Sequence, residues 1–582
     1  MAMMIFSLCI FCFLSLLLSY GVIEIEGSHH VCSNLLTLQL TSTHHQAKQP
    51  YRTGYHFQPP KNWINGPLIY KNVYHLFYQY NPNGVEWAAN IVWAHSTSND
   101  LVNWTPHDDA FYPSQPFDIN GCWSGSATIL PGGKPAIFYT GINSKTEQVQ
   151  NLAFPKNLSD PFLREWVKIT QNPLMVPTQA NQINTDSFRD PSTAWLGPDN
   201  RWRLIIGSKN DQTGLAILYM SEDFLHWTMV DHHFHSAKEN GMWECPDFFP
   251  VSKNSPIGLD TSTNGPDIKH VLKVSLFNTG KEYYTIGTYI LDKDIYIPDE
   301  GSVESDSGMR YDYGKFYASK SFFDSAKNRR ILWGWVNESS SAIDDIKKGW
   351  SGLQAIPRTL LLDKSGKQLV QWPIVELEKL RTKQVKLPST VSKGGSLHEV
   401  LGVTAAQADV EVTFEITDFE KAEVLDPSWT DPQILCSEKS TSVKGGLGPF
   451  GLLVLASKGL QEYTAVFYRI FKSHNTTTNK YVVLLCSDQS RSSLNEDNDK
   501  TTYGAFVNVD PLHEKLSLRS LIDHSIVESF GGEGKTCITT RVYPTLAVHG
   551  DTHLYAFNFG RESVKIAGSA WSMSTAMINR SR

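Results

Sequence analysis

Three acidic stretches are where this chain could do chemistry. Phe188-Arg189-Asp190-Pro191 sets a carboxylate between a guanidinium and a rigid proline, and Trp243-Glu244-Cys245-Pro246 sets another directly after an indole. Tyr311-Asp312-Tyr313 holds a third between two phenols. A carboxyl packed against Trp loses hydration, which raises its pKa and suits it to donate a proton. A carboxylate beside Arg stays ionised and can accept hydrogen bonds from sugar hydroxyls. Any one of the three can equally be a loop residue or half of a structural ion pair. Cys122-Trp123-Ser124-Gly125 adds a ring and a hydroxyl, which also suit an ordinary turn.

Upstream, Phe57–Pro82 reads as two short strands around a break at Lys71-Asn72, with Tyr74, Leu76 and Tyr78 on one face and His75, Phe77 and Gln79 on the other. Trp63, Asn65, Tyr78 and Gln79 offer stacking faces and amides, as a sugar pocket needs. No Asp or Glu occurs between Tyr51 and Val85.

The elements that must position these residues repeat. SNDLVNW ends at Trp104, SDPFLREW at Trp166 and SEDFLHW at Trp227, at intervals of 62 and 61 residues, each beside a strand-like run. A unit of short strands recurring at this period indicates propeller blades, with room for about five between residues 51 and 362. Residues 363–393 read as a linker containing a short helix. Ala408–Ile416 then alternates cleanly, and further strand-like runs follow at the spacing of a β-sandwich over residues 394–582. The fold class expected is all-β, a five-bladed β-propeller followed by a C-terminal β-sandwich.

Net charge is −7 over 582 residues, which excludes a basic nucleic-acid footprint. Residues 1–21 are an apolar run, and residues 1–27 are read as a signal peptide, with an uncleaved anchor as the alternative. Removing them takes away Glu24 and Glu26 and leaves 52 basic against 57 acidic residues, net −5, a weak charge for ionic retention on an acidic wall polymer. Sequons at Asn103, Asn157, Asn337, Asn475 and Asn579 agree with secretion, and Cys436 with Cys486 is the candidate disulfide. No metal-ligand spacing appears. No cofactor is expected, and a monomer is.

Taken in order, Trp-Ile-Asn-Gly-Pro, WSGSA, FRDP and WECPDF resemble glycoside hydrolase family 32, and within it the plant cell-wall invertase and fructan exohydrolase branch. The likeness runs from Tyr51 to Gly532. It implies a five-bladed propeller with a β-sandwich and a retaining mechanism on terminal β-fructofuranosyl units. Glu244 would be the acid/base and Asp190 the transition-state stabiliser. Asn65, Gln79, Trp87, Trp123, Ser124 and Arg189 would line the fructose subsite. The substrate would be a fructan or sucrose, and the location the extracellular space or cell wall.

Two departures follow. The family's first motif reads W-[IM]-N-D-P-N-G, its Asp being the nucleophile, whereas this chain passes from Asn65 directly to Gly66. In plant members the lost Asp-Pro-Asn is typically encoded by its own very short exon, so an in-frame loss fits. Asp190 would have to move into line with the anomeric carbon to replace it, and Asp312 is a weaker candidate still. A tightened turn at Gly66-Pro67 is expected to absorb the loss without a slip of register. Second, invertases of this branch carry Asp and Lys where this chain has Phe277 and Gly280. Phe277 can stack on a longer chain. The reading is therefore a fructan exohydrolase whose activity in this form is in doubt; the alternatives are an invertase or a catalytically silent sugar-binding homologue.

Overall fold

The computed structural model describes residues 49–58, 64–474 and 480–578. The expected signal peptide, Trp63, Asn475 and Asn579 lie outside the described residues, as do the side chains of Ile64 and Asn65.

Five consecutive antiparallel sheets of four or five strands make the first part of the chain. Their first strands are Ile64–Tyr70, Gly121–Leu130, Phe188–Arg189, Trp243–Ser252 and Phe316–Asp324. Contacts pass from sheet to sheet, and the first strand of the fifth packs on that of the first, closing a five-bladed propeller. A blade is covered on both faces by its neighbours, so its strands bury both sets of side chains. In Val73–Tyr80, Tyr74, Leu76 and Tyr78 join one core cluster while Phe77 joins another.

The repeated Trp motifs are the turns between the third and fourth main strands of the first three blades. Trp104, Trp166 and Trp227 each donate from Nε1 to the carbonyl three residues earlier, of Leu101, Leu163 and Phe224, at 3.2, 2.8 and 3.0 Å. Those three residues have φ of 62°, 44° and 67°. Asp100, Asp160 and Asp223 hold the turns open by accepting two backbone N–H groups each.

Beyond the propeller, a six-stranded and a seven-stranded sheet face each other. Ala408, Val410, Val412 and Phe414 alternate into the core between them, as their spacing predicts. Cys436, on the helix Pro432–Glu438, is bonded to Cys486 on the strand Tyr481–Asp488. The segment 363–393, expected as a linker, is structured. Leu369–Pro373 completes the fifth blade, Val375–Leu380 is a 3-10 turn, and Arg381–Ser392 is an edge strand of the sandwich.

A buried charge cluster joins propeller to sandwich. His56 lies 2.8 Å from Asp523 and 2.9 Å from Glu528. Arg358 lies 2.6 Å from Glu528 and 2.9 Å from Asp312. Asp312 also accepts from the Thr539 N–H and hydroxyl, at 2.8 and 2.7 Å. Every side chain of the cluster is fully buried and paired, the condition under which such charges are tolerated. The tyrosine-flanked Asp312 is thus a structural clamp, and its oxygens are committed away from any ligand.

Candidate active site

The five first strands share one irregularity near their N-terminal ends. Pairing with the second strand skips one residue between Ile64 and Pro67, Cys122 and Gly125, Glu244 and Asp247, and Tyr317 and Lys320. In the third blade Arg189 pairs with Gly207, then Ser192 donates to Ile205, which leaves the same extra residue at Asp190-Pro191. Each is a β-bulge, which bends the strand and re-aims its side chains. The bulged pairs are Asn65-Gly66, Trp123-Ser124, Asp190-Pro191, Cys245-Pro246 and Ala318-Ser319. Asp190, Cys245 and Ala318 follow Arg189, Glu244 and Tyr317, and take φ of 66°, 46° and 51°. That left-handed conformation is costly for residues with a Cβ and is held by the surrounding bonds.

In the first blade the expected tight turn is replaced by this bulge, with Gly66 at φ 75° and the Trp93 ring 3.0 Å from where a Cβ would stand. The strand pairs continuously from Pro67 onward. One bulged residue turns the alternation over once, so the faces of Pro67–Tyr70 match those of the other blades.

Residues on either side of the bulges converge. Arg189 Nε donates to Glu244 Oε1 at 2.9 Å, and the Tyr317 hydroxyl donates to Glu244 Oε2 at 2.6 Å. Burial pushes the Glu244 carboxyl above the ordinary carboxylate value, and the Asp190 charge adds to this, while Arg189 and the Tyr317 hydroxyl pull against it. Arg189 is held by Gln148 Oε1 and the Asp186 carbonyl at 3.3 and 3.1 Å. Asp190 donates its N–H to Thr140 Oγ1 at 2.9 Å, and its Oδ2 accepts from the Cys245 N–H at 2.9 Å. The Asp190 carboxylate is thus tied to the backbone of the bulge that follows Glu244. Phe277 is 61% exposed, with the Arg189 guanidinium 5.3 Å from its ring centroid.

A second group lies on blades one and two. Gln79 donates to the Cys122 carbonyl at 3.0 Å, and Ser124 Oγ stands 3.4 Å from Gln79 Oε1. Trp87, 57% exposed, sets its ring edge-on to Trp123, centroids 5.7 Å apart. Trp123 is fixed by Nε1 donating to the Ala89 carbonyl at 2.9 Å. For Asn65 the structure describes only the backbone. Tyr317, Gln148 and Thr140 were not singled out by the sequence, although Tyr317 stands in a stretch whose Asp312 was.

Of the sequons, Asn157 and Asn337 are exposed. Asn103 is engaged within the first Trp turn, donating to Asp100 at 2.9 Å and accepting from the Met577 N–H at 2.9 Å.

Residues 56–373 match the glycosyl hydrolases family 32 N-terminal domain, and residues 376–572 match the family 32 C-terminal domain. The insoluble beta-fructofuranosidase isoenzyme CWINV1 of Arabidopsis thaliana is 62% identical, over 97% of this chain and 98% of that one. The fructan 6-exohydrolase of Beta vulgaris is 61% identical, over 97% of this chain and 94% of its own. The crystal structure of fructan 1-exohydrolase IIa from Cichorium intybus superposes with a TM-score of 0.88 at 54% identity, over 91% of this chain and 98% of that one. A variant of the same Cichorium enzyme has been solved in complex with 1-kestose. This chain belongs to glycosyl hydrolase family 32.

Proposed function

We propose that the protein is a secreted β-fructofuranosidase-type glycosidase, a fructan exohydrolase that releases terminal fructose, acting in the cell wall. The location rests on relatives named for the cell wall or as insoluble isoenzymes. The observation that carries the activity is the Glu244 carboxyl, half-buried between a guanidinium and a phenol with a second carboxylate on the neighbouring bulge.

In this reading Glu244 is the acid/base. Burial raises its pKa above the ordinary carboxylate value, which favours the protonated form that gives its proton to the glycosidic oxygen as the bond breaks. Arg189 and Tyr317 then stabilise the carboxylate left behind. Asp190 accepts hydrogen bonds from fructosyl hydroxyls and supports the oxocarbenium-like transition state. Trp87, Trp123 and Phe277 supply ring faces, while Asn65, Gln79 and Ser124 line the fructosyl pocket. A retaining reaction also needs a nucleophilic carboxylate about 5–5.5 Å from the acid. The blade-one strand has none, since Asn65 meets Gly66 at the bulge. Turnover by the usual retaining route therefore requires the missing Asp-Pro-Asn, and without it the alternative is a catalytically silent fructosyl-binding homologue.

Fructan is favoured over sucrose by Phe277, an exposed ring at the site where an acidic group would meet a glucosyl unit. The test is the ranking of levan, inulin and sucrose by kcat/KM in a form carrying the tripeptide. Preference for a fructan supports the exohydrolase. Preference for sucrose moves the assignment to the invertase reading.

A further inference from the structure

Bulges free backbone groups that a regular ladder would pair, and buried carbonyls need donors. Beneath the bulges of blades four and five those donors are two buried lysines. Lys273, on the strand Ile268–Leu276, has a fully buried side chain. Its Nζ donates to the Cys245 carbonyl at 2.9 Å and to the Ser319 carbonyl at 2.5 Å. One ammonium thus grips a carbonyl from each of two neighbouring bulges. Glu282, on the adjacent strand Lys281–Ile290, lies 3.5 Å from Lys273 and accepts from the Ser319 N–H at 3.1 Å. Lys320 donates to the Pro246 carbonyl at 2.9 Å, and burial lowers its pKa. Neither lysine touches the pocket, and nothing in the proposed chemistry uses them.

We propose that Lys273 and Glu282 are a positioning pair that locks the bulge carrying Glu244 to the bulge carrying Tyr317, and so sets the hydrogen bond between those two side chains. The inference rests on the reading of Glu244 as proton donor. Only Lys273 holds carbonyls of both bulges, and Glu282 pins the second bulge through its N–H. Releasing the clamp lets the Tyr317 hydroxyl leave the carboxylate. The groups facing Glu244 are then Arg189 and Asp190 from blade three and Cys245 from its own strand.

The test reads the Glu244 carboxyl directly. Carbon-13 carboxyl-labelled glutamate is introduced, the Glu244 resonance is assigned by its loss in Glu244→Gln, and the midpoint is followed against pH. Tyr317→Phe and Lys273→Met are each expected to raise the midpoint by roughly half a pH unit or more, because the first removes the phenol's hydrogen bond to the charged form and the second frees the phenol to leave it. The double variant is expected to shift no further than either single one. Lys273→Gln, which can still donate to one carbonyl, is expected to give an intermediate shift and serves if the Met variant does not fold. A folded Lys273 variant with a lowered Tm and an unchanged midpoint overturns the proposal, leaving the lysine a fold residue only. A shift that adds in full to that of Tyr317→Phe also overturns it, since the lysine then acts by charge alone. The readout needs no turnover, so an absence of fructose release would refute the functional reading and leave the clamp testable.

Discussion

The Tyr317 hydroxyl donates to Glu244 Oε2 at 2.6 Å, and the two residues hold the same position in consecutive blades, each immediately before a one-residue bulge. Arg189, on Glu244's other oxygen, holds that position in the preceding blade. The site is thus one device used three times around a ring. Each bulge turns a strand side chain toward its neighbours, and proximity follows from the closure of the propeller.

Replacing Glu244 by Gln keeps the shape of the group and removes its proton. In the form carrying Asp-Pro-Asn, kcat on levan or inulin should fall by about 10²–10⁴-fold, with Tm changed little. Steady-state kinetics beside a thermal melt check both halves of this expectation.

The raised pKa of Glu244 predicts a pH profile. The acid must be protonated, so kcat/KM is retained below its pKa and lost as pH rises through it. Tyr317→Phe removes a bond to the ionised form, so the alkaline limb should move to higher pH. Movement to lower pH would mean that the phenol favours the neutral acid.

The cluster between propeller and sandwich predicts stability limits on both sides. Burial opposes charge on His56, but its bonds to Asp523 and Glu528 hold its pKa above the ordinary value. Its contribution is therefore complete below about 6.5 and lost as pH rises through the folded value. Burial also opposes ionisation of Asp523 and Glu528, yet the His56 hydrogen bond to Asp523 and the Arg358 charge beside Glu528 leave both below their ordinary values. Their contribution is present above about 4 and lost as pH falls through the folded values. Urea unfolding against pH should show a dome between these limits. Arg358→Met removes the cation between Asp312 and Glu528 and should cost about 3–5 kcal/mol.

The disulfide closes a loop of 50 residues. Replacing Cys436 and Cys486 by Ala should lower stability by about 4 kcal/mol in the chain-entropy description. Both sulfurs lie in the sandwich, remote from the bulges, so kcat of the tripeptide-containing form should be unchanged at temperatures where the variant is folded.

Much of this was legible in the sequence because it is local. The Trp-ended repeats marked blade turns, since Leu101, Leu163 and Phe224 close each one on the Trp that follows. Alternation over Ala408–Ile416 marked a half-buried strand, and Trp243-Glu244 marked a desolvated acid. The bulges were not read, because blade strands buried on both faces show little alternation for one extra residue to interrupt. Their signal lay in composition: Gly66, Pro191 and Pro246 inside strand-like runs are residues that favour bulges. Tyr317 and Lys273 were hidden for a different reason, as ordinary members of buried strands whose roles depend on which blade stands beside them. Asp312 shows the converse, for aromatic neighbours gave it the look of a site residue while its partners Arg358 and Thr539 lie far along the chain.

In the proposed reading Glu244 and Asp190 supply the acid/base and the transition-state stabiliser, and the blade-one strand supplies no nucleophile. Fructose release from levan is measured for the purified chain as written and for the same chain with Asp-Pro-Asn inserted between Asn65 and Gly66. The account predicts turnover by the inserted form and at least about a thousandfold less from the chain as written. Comparable rates would contradict it, because another carboxylate would then be making the attack.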